Sequence, residues 1–222
     1  MKGSLTQVEN VAVYYSSPLQ KTDRTVLLIH EWWGLNENIK READGFAELG
    51  YQAAALDLYD GKIARDKETA SRFMGMDKPA ESRVKLQKVL RWLRAKSCPI
   101  ASSRVVTIGW CFGGGYSLQC ALHYTDLVDG AVIYYGLLET DAEELRSCRV
   151  PLLGIFARQD EWITPDSVDR FEQACQRAGV KVEVHRYDAQ HAFANPSNPQ
   201  FDRDATSDAT QKVQTFLKRV MA

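Results

Sequence analysis

The stretch "VVTIGWCFGGGYSL" (residues 105–118) gives the strongest indication of the fold. A β-branched apolar run leads into Cys111, and a glycine triplet and a second apolar pattern follow almost at once. A continuous apolar run of this length is typical of a strand buried on both faces of a parallel sheet. Gly109, Cys111 and Gly113 form G-x-C-x-G, which is the nucleophile-elbow pattern G-x-S-x-G with cysteine in the central position. Because side chains beside so tight a strand-to-helix turn would clash, the pattern predicts that Cys111 projects from a strained turn.

The expected position of Cys111, at the start of a helix, favours a negative charge and lowers the pKa of a thiol. The alternative is that Cys111 is a small buried hydrophobe, as many free cysteines are. The strand pattern before it and the helical pattern after it favour the elbow. The other four cysteines, at positions 98, 120, 148 and 175, have no comparable setting, so neither a disulfide framework nor a metal site is expected.

Short apolar runs and amphipathic helical patterns alternate along the whole chain. Strands are predicted at 11–18, 25–30, 53–59, 104–110, 130–136, 151–157 and 181–187, the first and last of them at sheet edges. Helices are predicted at 36–49, 80–96, 165–178 and 205–221, besides the one after Cys111. The helix at 165–178 is expected to start with a Thr164 cap followed by Pro165 and to end at Gly179. This alternation predicts an α/β fold with a mostly parallel twisted sheet and helices on both faces. Because the insertion at 60–80 is short, residues 1–222 are expected to form a single domain without a large cap domain and with an open site.

Bulk composition narrows the class of partner. The formal net charge is −1 and 45% of the residues are apolar, so no global field favours nucleic acid or an anionic membrane. No apolar run approaches the roughly 20 residues of a membrane helix, and the N-terminus lacks the apolar core of a secretion signal. We therefore expect a cytoplasmic protein, a monomer or weak homodimer, whose partner is a small molecule.

A cysteine nucleophile needs a base, and the base needs an acid that orients it. In α/β-hydrolases the chain order is nucleophile, acid, histidine. Of the four histidines, His191 lies in the loop after the last predicted strand, where that base is expected. The acid should follow the strand at 151–157, and spacing alone leaves Asp160 and Glu161 as equal candidates.

The loop after the strand at 25–30 should complete the site. In α/β-hydrolases, a backbone amide of this loop and the amide after the nucleophile hold the oxyanion, which nominates Trp32 and Phe112. Glu31 is an unusual neighbour for an oxyanion hole, which is the site that these two amides would form. An unpaired acid would cost free energy if it were buried there, so Glu31 must face water or have a partner.

Taken together, these motifs resemble the dienelactone hydrolase family of the α/β-hydrolase superfamily. The similar segments are "HEWWGLNENIKREADGFAELGYQAAALDLYDG" (30–61), "GWCFGGG" (109–115), "VIYYG" (132–136), "RQDEWIT" (158–164) and "QHAFAN" (190–195). Five motifs in the same order along most of the chain are far more specific than any one of them.

The resemblance implies a catalytic triad of Cys111, His191 and Asp160, and thereby selects Asp160 over Glu161. It also implies that Glu31 pairs with Cys111 or with the substrate and helps to generate the thiolate only when substrate is bound. No metal and no organic cofactor is implied.

The chain departs from the family where substrate is held. Members that cleave dienelactone have an arginine four residues after the histidine that binds the substrate carboxylate, and this chain has Asn195 there. A second basic contact comes from the segment after "DLY", for which Arg72 is a candidate beside Arg65 and Lys67. The other expected substrate contacts are aromatic: Trp33, Tyr135 and Phe193.

The sequence thus predicts hydrolysis of an ester or lactone through an acyl-thioester on Cys111, as in a carboxymethylenebutenolidase. A broad carboxylesterase or thioesterase of the same fold is the first alternative. Two further alternatives are a non-catalytic binding protein and a thiol redox protein. The redox hypothesis requires a second cysteine near Cys111, and Cys120 is the nearest in sequence.

Overall fold

The structure is a computed structural model and describes residues 2–222. Across these residues the strands form one eight-stranded sheet in the order β1-β2-β4-β3-β5-β6-β7-β8. The strands are β1 (Ser4–Val8), β2 (Val11–Ser16), β3 (Arg24–Ile29), β4 (Gln52–Leu56), β5 (Arg104–Trp110), β6 (Gly130–Tyr134), β7 (Leu152–Ala157) and β8 (Val182–Tyr187). β2 is antiparallel to both of its neighbours, and every pair from β4 to β8 is parallel.

Helices cover both faces of this sheet, as predicted. They are α1 (Glu37–Glu48), α2 (Lys67–Gly75), α3 (Pro79–Arg94), α4 (Phe112–His123), α5 (Ala142–Leu145), α6 (Pro165–Ala178) and α7 (Arg203–Val220). Alternate strand residues such as Leu28 and Ile108 pack on one face against α1 and α7. Their neighbours Leu27 and Ile29 pack on the other face against α3 and α4, and α6 extends this second layer.

Capping residues fix where the helices near the site begin. The Asn36 side chain accepts hydrogen bonds from Asn38 N–H and Ile39 N–H at the start of α1. Thr164 caps α6, whose first residue is Pro165, and Gly179 ends it in the left-handed conformation. Both features of α6 were predicted from the sequence.

The predicted fold differs from the structure at four elements, which are β1, β2, α2 and α5. β2 is antiparallel as expected, but it is not an edge strand, because the unpredicted β1 pairs with it from Ser4 to Val8. β1 has the sequence SLTQV, which is only five residues long and does not alternate regularly between polar and apolar residues, so no pattern indicates it. The insertion at 60–80 holds the unpredicted α2, and the four-residue α5 was also missed. No helix in residues 2–222 combines the length and apolar character needed to span a bilayer.

The parallel strands place the candidate site at one edge of the sheet. Glu31, Cys111 and Asp160 follow the carboxyl ends of β3, β5 and β7, and His191 follows β8. Tyr135 directly follows β6. Ligands of open α/β sheets bind at this edge, so the topology brings together the loops that the sequence analysis selected.

Candidate active site

The strained turn predicted around Cys111 is confirmed. Cys111 has φ 52° and ψ −116°, a conformation that L-residues rarely adopt. Its N–H donates to the Tyr134 carbonyl at 3.0 Å, and its own carbonyl accepts from Gly114 N–H at 3.0 Å. A Cβ at Gly109 would overlap the Gly113 carbonyl, and one at Gly113 would overlap the Ile29 carbonyl. The glycines therefore let α4 start directly against β5 and β3, which fixes where Cys111 stands.

Asp160 and His191 form the hydrogen-bonded pair that the resemblance implied. Asp160 Oδ2 lies 2.7 Å from His191 Nδ1, and Asp160 Oδ1 accepts from the N–H groups of Trp162 and Ile163, each at 2.9 Å. Asp160 is buried, whereas Glu161 is exposed to solvent. Because the carboxylate is held on both oxygens, the imidazole has a fixed orientation with Nδ1 as the protonated nitrogen.

The second ring nitrogen of His191 is free. His191 Nε2 is buried and has no hydrogen-bond partner within residues 2–222. The ring is flanked by Tyr135 and Trp162, with centroid distances of 5.0 and 4.8 Å. A buried nitrogen without a partner is costly in a structural histidine, so this atom faces the place where a reacting group would bind.

Glu31 does have a buried partner, and it is Asn195. The Asn195 side-chain amide donates to Glu31 Oε2, and the amide oxygen accepts from Ser197 N–H at 2.9 Å. Burial raises the pKa of Glu31 to about 7, the Asn195 hydrogen bond opposes this shift, and Glu42 adds to it. Asn195 was predicted to touch substrate; here its side chain is buried and hydrogen-bonded to Glu31, and the contact with substrate stays a prediction.

His30 holds the main chain beside Glu31. Leu58 N–H donates to His30 Nε2 at 3.1 Å, so the proton is on Nδ1, which donates to the Glu31 carbonyl at 2.6 Å. Burial lowers the pKa of His30, which keeps the ring neutral. The sequence analysis gave His30 no role, although its place directly before Glu31 at the end of β3 was a usable signal.

The expected lowering of the Cys111 pKa is wrong for this state. Burial raises the pKa of the thiol to about 12, the charges of Glu31 and Asp160 add to the rise, and the Phe112 N–H only partly opposes it. Desolvation and the two neighbouring carboxylates therefore raise the thiol pKa by more than the helix N-terminus lowers it. In this arrangement the thiol is protonated at neutral pH.

Two backbone amides near Cys111 are available as donors. Within residues 2–222, neither Trp32 N–H nor Phe112 N–H donates to another backbone group. The Phe112 N–H lies close enough to the Cys111 sulfur to affect its pKa. The assignment of these amides as an oxyanion hole stays a prediction that this geometry permits.

Phe193, Arg72 and Trp33 were also predicted to contact substrate. Phe193 is fully buried and packs against Tyr135 and Tyr187, so it is part of the core, and its contact with substrate stays a prediction. Arg72 is exposed on α2, with its guanidinium 5.8 Å from the centre of the ring of its neighbour Phe73, and its contact with substrate stays a prediction. Trp33 is half-buried at the site.

Tyr135 lies within the site itself. Its φ is 35°, its side chain is buried, and its hydroxyl has no hydrogen-bond partner within residues 2–222. Burial raises the pKa of Tyr135 well above its ordinary value, and Glu31 and Cys111 contribute to the rise. Its contact with substrate stays a prediction.

Residues 11–221 match the sequence profile of the Dienelactone hydrolase family. The chain belongs to the dienelactone hydrolase family. It is accordingly a carboxylic ester hydrolase with the α/β-hydrolase fold, as the resemblance of its motifs implied.

Individual relatives agree with this membership. Protein usf of Aquifex pyrophilus is 33% identical over 207 residues, which cover 88% of each chain. A carboxymethylenebutenolidase candidate from Aquifex aeolicus is 28% identical over 207 residues, which cover 87% of each chain. The crystal structure of a dienelactone hydrolase candidate from Klebsiella pneumoniae superposes with a TM-score of 0.88 at 24% identity, covering 97% of this chain and 98% of that one.

The side-chain chemistry of this dienelactone hydrolase family member gives no metal centre. Across residues 2–222, no three His, Cys, Asp or Glu side chains form a cluster that would hold a metal ion. Besides His30, Trp162 is a residue of the site for which the sequence predicted no role. It stands two positions after Asp160 in the acid loop, and its contact with His191 depends on a tertiary arrangement that no local pattern encodes.

Proposed function

We propose that this chain hydrolyses a small ester or lactone through an acyl-thioester on Cys111, with His191 as the general base and Asp160 as its orienting acid. The observation that carries the proposal is the His191–Asp160 hydrogen bond, which leaves His191 Nε2 buried and without a partner at the sheet edge where Cys111 projects. A buried base oriented by an acid near a nucleophile elbow is the arrangement that acyl transfer requires.

In the first half-reaction the thiol proton passes to His191 Nε2, and the Cys111 sulfur bonds to the substrate carbonyl carbon. The N–H groups of Trp32 and Phe112 donate to the resulting oxyanion. The tetrahedral intermediate collapses, the carbon–oxygen bond to the leaving group breaks, and His191 returns its proton to the leaving oxygen.

In the second half-reaction His191 takes a proton from water, and the oxygen of that water bonds to the thioester carbon. The carbon–sulfur bond then breaks, the carboxylic acid leaves, and the sulfur recovers the proton from His191. A thiolate leaves readily, so no metal or organic cofactor is needed in either half-reaction.

Glu31 controls when the thiol ionises. Its charge and the burial of Cys111 keep the sulfur protonated at rest, which protects it from oxidation and alkylation. A bound substrate that contacts Glu31, or that takes its place beside Cys111, removes this constraint. Asn195 holds Glu31 ready without supplying a positive charge.

The charges of the site favour a neutral substrate. Asn195 replaces an arginine with an amide that is already bonded to Glu31, and Arg72 lies over Phe73. A carboxylate-bearing lactone would therefore meet the Glu31 carboxylate without a compensating cation. We expect neutral esters and lactones to be better substrates than cis- or trans-dienelactone, which makes a broad carboxylesterase or thioesterase the nearest alternative.

The thiol redox alternative has less support, because Cys120 is fully buried in α4 and burial raises the pKa of its thiol. A binding protein without catalysis would leave the buried His191–Asp160 pair without a purpose. The cytoplasmic location and the monomeric or weakly dimeric state stay predictions. Light scattering of the purified protein would check the oligomeric state.

The test is turnover and covalent trapping with short p-nitrophenyl esters, thioesters and both dienelactones. Cys111→Ala should abolish turnover, and rapidly quenched wild-type protein should show one acyl group on the peptide that contains Cys111. Cys148→Ala, at the opposite end of the molecule, is the matched control and should keep wild-type turnover. Undiminished hydrolysis by Cys111→Ala would refute the thioester route.

A further inference from the structure

Two tryptophans from opposite sides of the site meet above its centre. Trp32 follows β3 and Trp162 follows β7, and β5 and β6 lie between these strands in the sheet. Even so, the two rings contact each other, with a centroid distance of 6.1 Å and an interplanar angle of 66°. The loops must therefore reach over the ends of β5 and β6, which carry Cys111 and Tyr135.

Trp162 is anchored on one side and open on the other. Its N–H donates to Asp160 Oδ1, and its ring lies edge-on to the His191 ring at 4.8 Å. The residue is nevertheless 65% exposed, so one face of the indole is in solvent beside the base. Trp33 extends the aromatic surface, with its ring 5.2 Å from that of Trp32.

This placement determines which part of a substrate would touch the pair. In the proposed mechanism His191 protonates the leaving oxygen, so the alcohol side of the ester lies next to His191. Trp162 contacts that ring, and the Trp32 N–H holds the carbonyl oxygen. The alcohol side of the ester therefore lies beside the tryptophan pair.

We propose that the Trp32–Trp162 pair is a binding subsite for an aromatic ring on the alcohol side of a neutral ester. Aromatic rings attract one another in edge-to-face arrangements, and the open face of Trp162 is free to make such a contact. The inference rests on the proposed function, because it takes the direction of the leaving group from the His191 role.

Three activated esters test the inference. Phenyl acetate and trifluoroethyl acetate give the same acetyl-enzyme and differ only on the alcohol side, whereas trifluoroethyl phenylacetate carries its ring on the acyl side. The measured quantities are the ratios of kcat/KM between these esters in wild type, Trp162→Ala, Trp162→Phe and Trp92→Ala. Trp92 is the matched control, because it lies near the end of α3 that leads to the start of β5, at the opposite edge of the sheet.

Trp162→Ala should lower the phenyl acetate to trifluoroethyl acetate ratio about tenfold, mainly by raising KM for phenyl acetate. Trp162→Phe should keep most of the wild-type ratio, and Trp92→Ala should keep all of it. An unchanged ratio in Trp162→Ala would overturn the subsite. An equal loss for the ring on the acyl side would overturn its assignment to the alcohol side.

The proposed function fails separately from the subsite. Hydrolysis of all three esters by Cys111→Ala, or none by wild type, would remove the mechanism from which the alcohol side was placed. Loss of turnover in Cys111→Ala together with an unchanged ratio in Trp162→Ala would instead retain the mechanism and reject the tryptophan pair alone.

Discussion

At the scale of single residues, Asp160 connects three parts of the site. One carboxylate oxygen holds His191, and the other holds the main chain at Trp162 and Ile163. Asp160→Asn preserves an acceptor for the main-chain bonds but offers an amide where His191 Nδ1 needs a carboxylate. The wrong tautomer of the imidazole then becomes favoured.

We therefore expect Asp160→Asn to lower kcat about a thousandfold or more for p-nitrophenyl acetate, with an unchanged circular dichroism spectrum. Glu161→Gln is the matched control, since this neighbour is exposed and its substitution should leave kcat as it is. Turnover that survives in Asp160→Asn would remove this residue from the proposed triad.

Glu31 gives a second prediction at this scale. Its negative charge raises the pKa of Cys111, so Glu31→Gln should lower the thiol pKa and speed alkylation by iodoacetamide in the absence of substrate. Because the pKa of Glu31 is about 7, the difference in alkylation rate between variant and wild type should be present above pH 7. It should fade below pH 7, where the Glu31 of wild type is protonated and therefore as uncharged as the glutamine. The comparison is made at pH 8.5, which is about 1.5 units above that pKa, so that Glu31 is ionised. Equal alkylation rates there would show that Glu31 does not raise the pKa of the thiol.

At the scale of elements, the start of α4 depends on close contact with β3. A methyl group at Gly113 would overlap the Ile29 carbonyl, whereas one at Gly45, within α1, would meet no atom within 4 Å. We expect Gly113→Ala to lower the free energy of unfolding by about 1–3 kcal/mol and to reduce turnover by displacing Cys111. Gly45→Ala should raise it by roughly 0.5–1 kcal/mol with turnover intact. Urea denaturation and p-nitrophenyl acetate assays measure both, and a neutral Gly113→Ala would contradict the packing argument.

The same elements explain what the sequence could and could not predict. The apolar strand before Cys111, the glycines around it and the capped α6 are local features, so their patterns identified them. The Asn195–Glu31 hydrogen bond joins residues 164 positions apart, and the Trp32–Trp162 contact joins loops from separate strands. No local pattern encodes such pairs, which is why Asn195 was assigned to substrate and Trp162 was missed.

At the scale of the whole molecule, the candidate site and a wide groove lie at opposite ends of the strands. A groove of about 1340 Å³ is lined by residues where β5, β7 and β8 begin, including Arg104, Leu152 and Val182. It contains none of the candidate catalytic residues. The candidate catalytic residues lie instead where the strands end, and there burial of Glu31 and Cys111 makes their ionisation costly.

That cost should be measurable as a dependence of stability on pH. The pKa of Glu31 is about 7 in the folded protein, against an ordinary value of 4.5. Between these values the folded state keeps a proton that the unfolded state has released, so unfolding releases protons and stability falls as pH rises. Below this window Glu31 is protonated in both states and contributes nothing. Above it the loss is complete, at about 3 kcal/mol.

Glu31→Gln isolates this contribution from the other titrating groups. The free energy of unfolding of the variant minus that of wild type, measured by urea denaturation, should be smallest at the acid end of the window and grow by about 3 kcal/mol through it. Glu161→Gln, an exposed carboxyl, should give a difference that does not change with pH. A flat difference for Glu31→Gln would mean that Glu31 is solvated in the folded protein and would contradict its raised pKa.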